Sequence, residues 1–299
     1  FDGTEVGFDK VTGIRGMYAT RAFKAGETLC KIPSDCAIAL ADPGLHGSDI
    51  PTVAHVGRNW LDMYLSDEEK IETWAPYLAT LPAPGAKNFS PTPDYFSMEE
   101  IEALEFPPAV EAAKKRLEEI QTLAQESEGI TMEDLQFATW LVSSRRFAIS
   151  MKIEGGPEDA LAGEATTRSV PVLVPYLDMA NHPHVYEANA ALDLIDPELD
   201  NAWFVFKAKR PIPAGKEITI SYGSGVESSV ELLTNYGFVP RENKFDSMML
   251  KKGGDGVLGP DGWKTSLEED RAALDLAVGP MKQVLELKIR LKESYEKTS

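Results

Sequence analysis

Two stretches of short, turn-punctuated strand pattern lie on either side of a long helical stretch, and this order limits the folds open to the chain. In residues 1–40, glycine turns at Thr12–Gly16 and Lys24–Glu27 flank apolar pieces such as Thr28–Pro33, which alternate as half-buried strands do. The pattern returns at Val170–Tyr176, Ala202–Lys207 and Glu217–Ser221, with a Pro211–Lys216 turn between the last two. Residues of about 57–150 read as helical instead. Val110, Ala113, Leu117, Ile120 and Ala124 recur at helical spacing, with Glu111/Lys115 and Lys115/Glu119 as i,i+4 pairs. Thr131–Asp134 reads as a capping box, with Asp for the usual Glu, opening a helix that carries Leu135, Ala138, Leu141 and Val142 on one side. Residues 41–56 read as a linker and 154–167 as an acidic loop. The tail from Ser266 to about Lys297 reads as helix, broken at Gly279-Pro280. A β-domain interrupted by a helical block is the simplest account of the order β, α, β, α.

Composition excludes several classes. At 299 residues, 43% of them hydrophobic, the chain can bury a large core. Its net charge is −18, from 30 basic and 48 acidic residues, which disfavours a nucleic-acid partner and favours a basic protein surface. No apolar run reaches the roughly 20 residues of a membrane span. Cys30 and Cys36 are too few for a four-ligand structural zinc site built on three or four thiolates, and the four histidines lack metal-type spacing, so no metal is expected. Reduced thiols point to an intracellular protein. The chain opens on Phe1, so a lost upstream segment would leave cytoplasm and plastid both open. No feature demands an oligomer, and a monomer is expected.

The chemistry concentrates in five short segments. Val174-Pro-Tyr-Leu-Asp-Met-Ala-Asn-His182 ends an apolar run on an adjacent amide and imidazole. Glu217-Ile-Thr-Ile-Ser-Tyr-Gly223 puts a phenol at a strand end, and Glu231-Leu-Leu-Thr-Asn-Tyr-Gly-Phe238 adds two more aromatics. Gly13-Ile-Arg-Gly-Met17 lets a ligand approach the backbone closely, and Ser144-Arg-Arg-Phe147 places two guanidiniums beside an aromatic near a helix end. Taken singly, each has a plain structural reading: a loop pair, a core tyrosine, a hairpin turn, a solvated helix-end cation. The order and spacing of the set carry the functional reading.

That set resembles the SET-domain methyltransferases of the Rubisco large-subunit methyltransferase type, whose relatives include an actin-histidine methyltransferase. The resemblance covers about residues 10–240, and Trp74-Ala-Pro-Tyr-Leu-Ala-Thr-Leu-Pro82 looks like a further family signature with no obvious catalytic role. It implies an α+β fold: a β-rich SET domain with a knot-like C-terminal crossing, split by a helical insert and followed by a short helical C-terminal segment. The implied boundaries are 1–50 and 166–245 for the two SET parts, 51–165 for the insert, and 246–299 for a truncated or rudimentary substrate-binding segment.

The resemblance further implies S-adenosylmethionine as methyl donor, S-adenosylhomocysteine as product, and a lysine-bearing, non-histone protein as substrate. Arg15, Gly16 and Met17 would contact the cofactor through the backbone, and Arg145 would meet its carboxylate. Asn181 and His182 would hold its amino-acid and adenine parts, with Phe238 packed on adenine. Tyr222 matches the catalytic tyrosine and would border the cofactor. Ser144, Phe147, Asp178 and Tyr236 match positions around the target amine, and Tyr186 is a channel-wall candidate. A lysine must lose its proton to attack, whereas an imidazole is already largely neutral at pH 7, so a histidine methyltransferase is the close alternative. A catalytically silent SET scaffold for protein binding is the other. Three departures from the family pattern are expected to matter: a long loop between Tyr222 and Tyr236, Pro183 after the Asn-His pair, and only about 60 residues after Phe238.

Overall fold

The computed structural model describes residues 3–40, 52–86, 88–153, 166–184, 187–195, 202–252 and 262–297. Most of the expected linker (41–51), most of the expected acidic loop (154–165) and Tyr186 lie outside the described residues. The chain runs through β1 (Thr4–Phe8), β2 (Arg15–Ala19), β3 (Thr28–Pro33) and β4 (Ile38–Ala39) into α1 (Val53–Leu65) and α2 (Glu68–Leu78). Then come α3 (Met98–Glu102), α4 (Pro107–Glu126), α5 (Met132–Arg145), β5 (Phe147–Ile153) and β6 (Thr166–Leu173). The remainder comprises β7 (Ala190–Ile195), β8 (Trp203–Ala208), β9 (Glu217–Ile218), α6 (Ser229–Tyr236), α7 (Asp246–Lys252), α8 (Leu267–Leu274) and α9 (Pro280–Glu296). Among the described residues, no helix is long and apolar enough to cross a membrane. Two compact units result, one of residues 1–81 and 145–223, the other of 82–144 and 224–299.

The first unit holds three small sheets, ordered β1-β2-β9, β3-β8-β7 and β4-β6-β5, with every strand pair antiparallel. Their inward faces share one core, which includes Met17, Phe23, Leu29, Val174, Leu177, Phe206 and Ile218. β8 lies between two partners and buries the run Phe204-Val205-Phe206, as a central strand must. Three strands depart from the sequence expectation. The helical stretch, read as reaching about residue 150, stops at Arg145, and Phe147 opens β5. Pairing along the whole of β6 there outweighs local helix preference. β7, of sequence Ala-Ala-Leu-Asp-Leu-Ile, has almost no β-branched residues, and its partner β8 makes it a strand. The expected strand Glu217–Ser221 is shorter: β9 covers two residues, after which Thr219 turns to bridge Asn181 in parallel.

The second unit is helical. Phe96, Ile101, Leu104, Phe106, Leu233, Val284, Leu287 and Leu291 pack as its core. Both expected capping boxes form. Thr131 and Asp134 exchange side-chain and backbone bonds, and Ser266 and Glu269 do the same. The break at Gly279-Pro280 is real, with Gly279 at φ +60 and Pro280 opening α9. Beneath α9 lies a buried ion cluster. Lys288 Nζ meets Glu105 Oε1 at 2.8 Å and Asp270 Oδ1 at 3.2 Å, while Lys292 pairs with Asp270 Oδ2.

Two predictions follow from this packing. Removing one partner of a buried ion network strands the other charges. Asp270→Ala is therefore expected to lower the unfolding free energy at pH 7 by about 3–5 kcal/mol in urea denaturation. Burial alone would raise the Asp270 carboxyl, but bonds from Lys292 and Thr265, with Lys288 nearby, hold it below the usual range. A depressed native value stabilises above the unfolded value and is lost as pH falls through the native one. The gap between wild type and variant should accordingly shrink in acid. The thiols differ too: burial pushes Cys30 up to about 12, whereas Cys36 is exposed. Iodoacetamide at pH 8 should alkylate Cys36 alone in the native protein and both cysteines in urea, read by peptide mass spectrometry.

Candidate active site

The Asn-His pair owes its position to a strained approach. After β6 the chain passes Val174 and reaches Tyr176, a non-glycine residue at φ +76 whose hydroxyl bonds Thr4 Oγ1 at 2.8 Å. Strain of this kind persists where the surroundings over-determine it. A single 3₁₀ turn, Leu177–Met179, follows with all three residues buried. Asn181 then lies parallel to Thr219 and accepts the Ile220 amide on its carbonyl at 3.0 Å. Its side-chain Nδ2 donates to the Arg15 carbonyl at 2.7 Å and to Glu217 Oε1 at 2.8 Å. His182 Nδ1 accepts the Tyr222 amide at 3.1 Å, which assigns the ring proton to Nε2. The two rings stand 5.5 Å apart, and Tyr222 Oη donates to the Ala180 carbonyl at 3.2 Å. Gly16 makes this convergence possible. A Cβ there would collide with Glu217 Oε1 and come within 3.0 Å of Asn181 Nδ2.

A charged cluster adjoins these residues. Arg145 ends α5 and directs Nη1 to Asp178 Oδ2 at 3.0 Å and to the Asp178 carbonyl at 3.2 Å. The Asp178 side chain is fully buried and that of Arg145 is 13% exposed. Tyr77, from the last turn of α2, donates its hydroxyl to the same Asp178 Oδ2 at 2.8 Å. Arg15 bonds the carbonyl of Thr80, one turn further on. Burial works against the charge on Arg145, but the Asp178 carboxylate more than restores it. Burial and the like charge of Arg145 push Arg15 the other way. Burial, then Asp178, holds the Tyr77 phenol well above its ordinary range. Burial also raises the Glu217 carboxyl, against the Asn181 bond that favours its charged form. The Asp178 carboxylate pairs directly with Arg145 and also favours the charge on Arg15, whose own bond goes to the Thr80 carbonyl.

The first unit thus brings together Arg15, Gly16, Arg145, Asp178, Asn181, His182 and Tyr222. Met17 is also there, but its side chain is fully buried in the core opposite Ile218, which leaves its backbone for contact. Phe147 packs at the core edge, its ring 6.4 Å from that of Phe206. The second unit holds Ser144, whose Oγ bonds back to the Trp140 carbonyl at 2.7 Å, and Tyr236 and Phe238 around the end of α6. Gly237 caps that helix at φ +76, where a Cβ would collide with the Ser90 carbonyl. Sequence reasoning missed Tyr77, Thr80 and Glu217. Tyr77 and Thr80 fall inside Trp74–Pro82, the segment read as having no catalytic role, and it contacts Arg15 and Asp178 directly.

Gly16→Ala tests the close packing. The new methyl must displace Glu217 or Asn181, at an expected cost of about 1–3 kcal/mol. A denaturant midpoint unchanged from wild type would show that the amide junction yields freely.

The fold has parallels in solved structures. The SET domain of LSMT, bound to lysine and AdoHcy, matches 99% of this chain and 85% of its own at a TM-score of 0.67 and 15% identity. Rubisco LSMT bound to AdoMet matches 99% and 86% at a TM-score of 0.63 and 15% identity. Ribosomal lysine N-methyltransferase 1 of Saccharomyces cerevisiae is 33% identical over 95 residues, 32% of this chain and 15% of that protein's length. The SET-domain model matches residues 14–223, more than half of the chain, and the protein belongs to the SET-domain family.

Proposed function

We propose that the protein is an S-adenosylmethionine-dependent N-methyltransferase that acts on a lysine of a non-histone protein. The observation that carries this reading is the junction of Asn181, His182 and Tyr222 beside the Arg145–Asp178 pair and the neighbouring Arg15 guanidinium. Such a cluster suits a ligand with one anionic group, and the amino-acid end of S-adenosylmethionine supplies a carboxylate. Bound there, the donor presents a sulfonium methyl to the incoming amine and leaves as S-adenosylhomocysteine. The relatives lend support for lysine: one is named a ribosomal lysine methyltransferase, and LSMT has been solved with lysine and methyllysine.

In this reading Arg145 and Arg15 neutralise the carboxylate, and the backbone of Arg15–Met17 lies close to the ligand because Gly16 has no side chain. Asn181 and His182 hold the amino-acid and adenine parts, with Phe238 against the adenine. Tyr222, held by its own amide and hydroxyl, orients the target amine. Ser144, Phe147, Asp178 and Tyr236 surround that amine. Little covalent chemistry is asked of the protein, so positioning and an environment that favours the neutral amine supply most of the acceleration. The acidic surface attracts a basic protein substrate.

Transfer of tritium from labelled S-adenosylmethionine into a whole-proteome extract tests the reading. Tyr222→Phe is expected to reduce transfer by about 10²-fold or more while donor affinity, read by calorimetry, stays within about threefold. Mass spectrometry of the labelled band should find methyl-lysine. Methyl-histidine would replace the substrate class, and absence of both transfer and donor binding would overturn the reading.

A further inference from the structure

The segment Trp74–Pro82 has two contacts with the site that the function so far leaves unused. Tyr77 Oη donates to Asp178 Oδ2 at 2.8 Å, and the Thr80 carbonyl holds Arg15. Asp178 begins a short chain of connections. It lies in the buried 3₁₀ turn Leu177–Met179, and its carboxylate and carbonyl are both held by Arg145. The residue after that turn, Ala180, offers the carbonyl that receives the Tyr222 hydroxyl. The same turn leads directly into Asn181.

We propose that Tyr77 is a positioning residue: its hydroxyl fixes Asp178 and, through the turn 177–180, sets the orientation of the Tyr222 phenol. The inference rests on the reading of Tyr222 as the residue beside the reacting amine. Four observations support it. Tyr77 is held well above its ordinary range, so near neutral pH its phenol keeps the proton that it donates to Asp178 Oδ2. Arg15 and Arg145 each lie within electrostatic range of both Tyr77 and Tyr222, so the two phenols face the same cationic pair. Thr80 Oγ1 bonds back to the Tyr77 carbonyl at 2.6 Å and Pro76 stiffens the turn before it, so the hydroxyl is presented from a constrained helix end. Asp178 has a second buried oxygen, Oδ1, with no hydrogen-bond partner among the described residues, so without Tyr77 the carboxylate would be free to exchange its two oxygens at Arg145.

A double-mutant cycle decides between positioning and general support of the fold. Rates of tritium transfer at saturating donor are compared for wild type, Tyr77→Phe, Tyr222→Phe and the double variant, with thermal midpoints recorded for each. Tyr77→Phe is expected to slow transfer on the order of tenfold with donor affinity changed less than about threefold. In the Tyr222→Phe background the same change should have almost no effect, because the group it positions is gone. Tyr77→4-aminophenylalanine, which restores a donor at the same reach, should recover most of the rate. Equal effects in both backgrounds, or no effect in either, would overturn the proposal.

A second readout needs no turnover. With 3-fluorotyrosine incorporated, the Tyr222 resonance, assigned from its loss in Tyr222→Phe, should move in Tyr77→Phe. If wild type neither transfers label nor binds the donor, the functional reading fails, and this resonance alone decides the positioning role: an unmoved signal overturns it.

Discussion

The side-chain amide of Asn181 has two hydrogens, and both are committed, one to the carbonyl of Arg15 and one to the carboxylate of Glu217. Those partners lie 166 and 36 residues away in sequence. One planar group therefore joins the second strand of the chain, the segment after the strained Tyr176, and the strand that leads to Tyr222. The backbone repeats the connection through the parallel bridge to Thr219. Most of the other arrangements at the site depend on this junction. It requires Gly16, it sets where the Tyr222 amide meets His182, and it fixes the Arg15 carbonyl while the Arg15 side chain reaches Thr80.

The protein buries charge in two different ways. Beneath α9, Lys288 and Lys292 face Glu105 and Asp270, and positive and negative charges balance. That cluster needs no further ion, and its cost of desolvation is offset within the protein. At the site, Arg145 pairs with the buried Asp178 carboxylate, Arg15 lies within electrostatic range of both, and Asp178 Oδ1 has no hydrogen-bond partner among the described residues. The first arrangement stabilises helices. The second brings two guanidiniums within electrostatic range of each other beside the Asn181–Tyr222 junction.

Much of this was legible in the sequence because it is local. Asn181 and His182 are adjacent, Tyr222 follows its strand directly, and glycines at 13 and 16 mark a hairpin. The capping pairs Thr131/Asp134 and Ser266/Glu269 each span three residues and could be read as written. What stayed hidden depends on distant partners. β7 is a strand because β8 lies beside it, and Phe147 leaves the helix because β6 pairs with it. Tyr77 could be seen as part of a motif, but its partner Asp178 lies 101 residues away. No spacing rule connects the two. Glu217 was quoted only as the first residue of a strand, and its carboxylate gains meaning once Asn181 is placed beside it.

Gly237 closes α6 in the left-handed region, packed so tightly on the carbonyls of Ser90 and Pro91 that only glycine fits. At the other end, Ser228 and Glu231 start the same helix with a reciprocal cap, and Glu227 gathers the amides of Ser224 and Gly225 just before it. The loop after Tyr222 is therefore closed by its own hydrogen bonds before the helix begins. Residues gained or lost there are absorbed upstream of Ser228, and Tyr236 and Phe238 keep their register on the helix end. A chain built this way can vary in loop length, and so in what the loop presents to solvent, without shifting the aromatic residues beyond it.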